Sequence, residues 1–126
     1  THVAFAEYHG GNSYYSYQHG MAHIVVVNSY VDSSVGSIQY KWFQHDVVTN
    51  FNRSITPWLI VVFHCPLRTT FHGHNHEGHP QVMMNALEPL FLKFGVNLIF
   101  SGHNHAYVRT HSLKGHNEEE TVMDVT

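Results

Sequence analysis

Three short, mostly apolar runs, separated by two stretches whose apolar residues recur at helical spacing, restrict this chain more than any other feature. Residues 22–27 (Ala-His-Ile-Val-Val-Val) are mostly β-branched and lie between Gly20 and Asn28; Trp58–Phe63 follows Pro57 and stops at His64; residues 96–100 follow Gly95 and stop at Ser101. Runs of this length bounded by turn formers read as buried strands. The unbroken apolar pattern of Trp58–Phe63 is that of a parallel strand covered on both faces. After Ser37, a residue suited to cap a helix N-terminus, Ile38, Trp42, Phe43, Val47 and Phe51 predict an amphipathic helix. Between residues 80 and 94, Val82, Met83, Leu87, Leu90, Phe91 and Phe94 form a second helical stripe that Gly95 should end and Pro89 should kink. The order strand, helix, strand, helix, strand predicts an α/β sheet with right-handed parallel crossovers. Residues 12–20, before the first run, are aromatic and turn-rich, and after Thr110 the chain becomes polar.

A length of 126 residues with 43% hydrophobic content is enough for one packed core. Six Lys plus Arg and a formal charge of −3 leave no basic stretch, which argues against a nucleic-acid partner. No apolar run approaches the roughly eighteen residues of a membrane span, and the first residues lack the basic and apolar regions of a signal peptide. Cys65, beside an apolar run, reads as a buried thiol. Asn52-Arg53-Ser54 fits a glycosylation sequon in an expected loop. Histidine is the compositional outlier: protonating all 14 would carry the formal charge from −3 to +11, which favours anionic substrates in acid.

The histidines are placed informatively. His64 directly follows one predicted strand, while His103 and His105 follow another, so all three fall on the rim formed by the carboxyl ends of the strands, where open α/β sheets bind ligands. In Gly102-His103-Asn104-His105 the two imidazoles share a side if the segment is extended, and Gly102 permits close backbone approach. A hydrogen-bonded histidine at the edge of a core would explain any one of them; the trio points to a metal cluster, with zinc, iron and other transition metals all suited to imidazole. A second cluster, His72-Gly73-His74-Asn75-His76-Glu77-Gly78-His79, reads either as a substrate-contacting loop or as a solvated, adventitiously metal-binding turn.

Val61-Val62-Phe63-His64 and Gly102-His103-Asn104-His105-Ala106-Tyr107 resemble the V-x-x-H and G-H-x-H-A-Y motifs of the purple acid phosphatases, within the calcineurin-like metallophosphoesterase superfamily. Tyr14-Tyr15-Ser16-Tyr17, the run at residues 24–27, Gln39-Tyr40 with Trp42, and Thr56-Pro57-Trp58-Leu59-Ile60-Val61 extend the resemblance in order and spacing over residues 12–110. It implies an α/β fold forming part of the family's αββα sandwich and hydrolysis of phosphate monoesters at a dinuclear centre of iron(III) with zinc, manganese or iron(II). It further implies that His64 and His103 bind the divalent metal, that His105 binds the iron(III), and that His74 contacts substrate phosphate and protonates the leaving group, with the register open to His72 or His76. Val108 stands where the family usually has Glu. Tyr107, Arg109 and Thr110 would support the fold around the ligands. The implied setting is secreted or lysosomal/vacuolar.

The family's other ligand motifs, G-D-x-G, G-D-x-x-Y and G-N-H-E, do not occur; Asp32, Asp46 and Asp124 follow no Gly, and His9-Gly10-Gly11-Asn12 does not match. Three imidazoles without carboxylate or phenolate lack the charge to hold a bridged pair. The expectation is therefore that residues 1–126 are a partial catalytic domain whose N-terminal half is absent, poorly active alone, and associating with the missing half or with its own copies. Alternatives are a non-enzymatic His-rich metal-binding or interaction module, and another metallophosphoesterase such as a phosphodiesterase.

Overall fold

A computed structural model describes residues 12–68, 78–110 and 123–124. Four strands, β1 (Tyr15–His19), β2 (Ala22–Val26), β3 (Trp58–Phe63) and β4 (Leu98–Ser101), form one sheet in the order β1-β2-β3-β4. Helix α1 (Ile38–Asn50) links β2 to β3 and α2 (Gly78–Phe94) links β3 to β4, both strand pairs being parallel as the sequence predicts. Two further strands, β5 (Arg109–Thr110) and β6 (Met123–Asp124), form a short antiparallel ribbon.

Within the aromatic segment at residues 12–20, β1 is an antiparallel edge strand turned back onto β2 through Gly20, whose φ of +56° suits a residue without a Cβ. Its alternation of Tyr15 and Tyr17 with Ser16 and Gln18 is the period of a strand with two different faces. Ser37 caps α1 as predicted, its hydroxyl accepting from the Tyr40 N–H. The face of α1 that meets the sheet differs from the expected stripe: Ile38 is exposed, and the buried residues are Gln39, Phe43, Asp46 and Val47. Helix α2 continues through Pro89. It ends at Gly95 (φ +67°), where the Val96 N–H reaches the Phe91 carbonyl and the Gly95 N–H reaches Leu92, the Schellman pattern that satisfies a helix's last carbonyls.

Strand parity puts Val25, Val27, Leu59, Val61 and Phe63 against the helices, where they form the core with Phe43, Val47, Met83, Leu87, Leu90 and Phe91. Phe43 packs edge-on to Phe91, with ring centroids 5.2 Å apart. The opposite face carries Tyr15, Tyr17, Ile24, Val26, Trp58, Ile60, Val62, Leu98 and Phe100, and no described element covers it. The expectations of burial on both faces of β3 and of a third buried strand are therefore corrected: Ile60 and Val62 are half-buried, and all four residues of β4 are exposed. Unbroken apolar sequence signals two faces that avoid water, but only the helices supplied here cover one of them, and β4 also ends the sheet at an open edge.

Polar groups fasten the helix-covered side. His23, Ser16 and Asn50 all bond the buried Asp46 carboxylate, at 2.8, 2.6 and 2.9 Å respectively, tying β1 and β2 to α1. Also toward the amino ends of β2 and β3, the Arg53 guanidinium donates to the carbonyls of Pro57, Phe94 and Gly95 and to Asn97 Oδ1, while Asn97 Oδ1 also accepts from the Leu59 N–H. One side chain thus caps α2 and closes the amino-terminal rim.

Candidate metal centre

Parallel β3 and β4 leave the sheet side by side, and this brings His64 and His103 together across 39 residues of sequence. His64 Nε2 lies 3.1 Å from His103 Nδ1, with the rings nearly perpendicular at 81°. In such contact one imidazole nitrogen donates to the other, an approach that a cation between them can replace. Ligands bound at 2.0–2.1 Å with angles between right-angled and tetrahedral stand about 2.9–3.4 Å apart, so the pair fits two adjacent positions on one ion. His64 also lines a groove of about 530 Å³ formed by residues from the ends of β2, β3 and β4, among them Asn28, Ser29, Tyr30 and Gly102.

The backbone here is unusual. His103 has φ of +72°, a conformation that costs a residue with a Cβ and is found at functional sites more often than elsewhere. Hydrogen bonds from the Asn104 N–H to the Gly102 carbonyl and from the Ala106 N–H to the Asn104 carbonyl fold residues 102–106 into successive tight bends. The segment is thus not extended, and the condition for His103 and His105 to share a side is not met. His105 is exposed, and among the described residues no group of three or more His, Cys, Asp or Glu converges on a point. His64 and His103 fit part of a metal site; a bridged pair needs donors beyond them. His72, His74 and His76 lie outside the described residues.

Gly102 approaches His64 through its backbone, its N–H donating to the His64 carbonyl at 2.9 Å. A Cβ there would meet His64 Nδ1 at 3.5 Å, an ordinary contact, so space alone does not require glycine. Cys65 is fully buried, as the sequence suggests, and its N–H donates to Ser29 Oγ at 2.9 Å. Tyr30 places its ring 6.0 Å from that of His64. Tyr107 is exposed rather than packed around the ligands. Sequence reasoning assigned no role to Ser29 or Tyr30; their position directly after a strand, on the rim that carries His64, was the available signal.

A sheet with parallel β2, β3 and β4 and paired imidazoles at its carboxyl rim defines an α/β protein with a candidate metal site, and comparison with known proteins places the chain more narrowly. The chain belongs to the calcineurin-like phosphoesterase family, whose model matches residues 3–107. Within it the similarity runs to purple acid phosphatases. Purple acid phosphatase 18 of Arabidopsis thaliana is 42% identical over 99 residues, 79% of this chain and 22% of that protein. Purple acid phosphatase 1 of Ipomoea batatas is 41% identical over 101 residues, 80% of this chain and 21% of that protein. The solved structure of purple acid phosphatase PPD1 from yellow lupin (Lupinus luteus) seeds superposes with a TM-score of 0.71 at 27% identity, covering 81% of this chain and 18% of that one. The chain thus spans about a fifth of the length of the relatives it matches.

Proposed function

We propose that this chain is the C-terminal part of a catalytic domain that hydrolyses phosphate monoesters at a dinuclear metal centre, to which His64 and His103 contribute ligands for a divalent ion and His105 a ligand for iron(III). The observation that carries the reading is the 3.1 Å approach of His64 Nε2 and His103 Nδ1 at the carboxyl rim of the sheet. A metal pair there, iron(III) with zinc, manganese or iron(II), supplies positive charge to the phosphoryl group and makes water acidic enough to act as a nucleophile. The chain's own residues hold and orient: His64 is anchored at the end of β3, and His103 is presented by a strained bend. His74, in the register counted from His64, contacts the substrate phosphate and gives its proton to the leaving oxygen. The missing carboxylates come from the remainder of the domain, docked on the open sheet face, which runs apolar to the groove beside His64. The enzyme is secreted or vacuolar, a reading supported by the sequon at Asn52.

The test is metal content together with p-nitrophenyl phosphate hydrolysis at pH 5, for this chain and for a longer chain that carries the carboxylate motifs, each with and without His64→Ala, His103→Ala and His105→Ala. The longer chain should turn over and lose at least about a hundredfold when ligands are removed, while this chain alone binds little metal. Full activity in a longer chain lacking His64 and His103 would refute the assignment.

A further inference from the structure

We infer that Ser29 is a positioning residue for His64, holding the peptide unit that follows this imidazole so that its ring meets His103; the inference rests on the metal reading above. The peptide between His64 and Cys65 is gripped at both polar atoms. Its carbonyl accepts the Gly102 N–H from the β4 side at 2.9 Å, and its N–H donates to Ser29 Oγ from the β2 side at 2.9 Å. With the preceding peptide fixed at the end of β3, holding this one fixes both peptide planes that meet at the His64 Cα, and with them the direction of its Cα–Cβ bond. The chain thereby aims one imidazole using the ends of both neighbouring strands.

Ser29 is itself held in place, and by a group buried for no other evident purpose. Gln39, 1% exposed on α1, accepts the Asn28 N–H at 2.8 Å and donates to the Asn28 carbonyl at 3.0 Å and to Ser33 Oγ at 2.7 Å. An amide that satisfies both polar groups of one residue acts as a strand partner would, extending the order of β2 to the residue before Ser29. The Asn28 side chain accepts the Tyr30 N–H at 2.8 Å, so the turn that bears Ser29 is fixed on both sides. Ser29 lines the groove but is only 2% exposed, and its Oγ accepts the Cys65 N–H, which assigns it to positioning rather than contact.

The test is a cobalt(II) titration of the metal-free longer chain that carries the carboxylate motifs, followed residue by residue through paramagnetic broadening of the His64 and His103 ring protons, with folding checked by circular dichroism. Ser29→Ala removes the acceptor, and the nearly isosteric Ser29→Cys keeps the volume with a weak one. Each should raise the cobalt concentration that half-broadens both rings about tenfold, the lower end of the loss seen when outer-shell support is removed. Ser29→Thr, which keeps the hydroxyl, should restore wild-type behaviour. Broadening at wild-type concentrations in a folded Ser29→Cys chain overturns the positioning role and leaves the metal reading intact. Absence of broadening at both rings in the wild-type chain sinks the metal reading and this inference with it.

Discussion

The two faces of the sheet are built from similar residues and differ in what lies on them. On the helix-covered face Val25, Leu59 and Val61 have no solvent exposure, and Phe43 and Phe91 interlock above them. On the other, Trp58 and Phe100 are about half exposed, although Trp58 shares β3 with Leu59 and Val61 and Phe100 lies on the neighbouring strand. The difference is not one of composition, since β2, β3 and β4 are apolar on both sides. An apolar face left open in this way accords with the proposal that a second layer packs there, in a chain spanning about a fifth of its relatives' length. Such a layer would also reach His64, because the groove at the rim opens on the uncovered side.

Mutations should separate the faces most sharply in the core. Phe43→Ala is expected to cost about 3–5 kcal/mol of stability in urea denaturation, while Phe100→Ala costs under about 1 kcal/mol because its site is already wet. Equal losses would mean that the open face is covered after all.

The buried polar fastening comes next. Asp46→Ala should cost about 3 kcal/mol by orphaning the donors on His23, Ser16 and Asn50. Burial pushes the Asp46 carboxyl up, but hydrogen bonds from His23, Ser16 and Asn50 and the His23 charge outweigh it and hold the pKa below its usual 3.8. A carboxyl with a lower pKa in the folded state adds stability that is complete above its unfolded value and lost as pH falls through the folded one. Stability from Asp46 should therefore persist well into acid and fade only below about pH 3.8; a thermal-melt series in Asp46→Asn should lack that decline.

Arg53→Ala should cost about 1–2 kcal/mol, by freeing the α2 carbonyls and Asn97, and should speed amide exchange at Leu59 and Asn97. The smallest effect is expected on the open face, where Tyr17→Lys should leave stability within about 0.5 kcal/mol. The same change should lower self-association in sedimentation velocity; unchanged association would show that this face does not drive it.

Much of the fold was legible because its signals are local. The Ser37 cap, the Gly95 stop and the apolar runs each act within a few residues, and the two parallel crossovers follow from their order. The site was legible in part: strand ends placed His64 and His103 on one rim, and the structure joins them. What escaped depends on partners distant in sequence. Gln39 and Asp46 look like the polar residues of a solvated helix face until Asn28 and His23 are brought to them. Arg53 looks like a loop charge until α2 ends beside it.

By itself, then, the sequence determined β2, β3 and β4 with the two helices between them, their order, and the histidines that follow β3 and β4, because periodicity and capping are properties of neighbouring residues; β1, β5 and β6 were not legible in it. Only the tertiary structure decided which sheet face is covered, that residues 102–106 bend rather than extend, and that the peptide after His64 is held from both sides. Those outcomes depend on hydrogen bonds and packing between segments tens of residues apart, which no local pattern encodes.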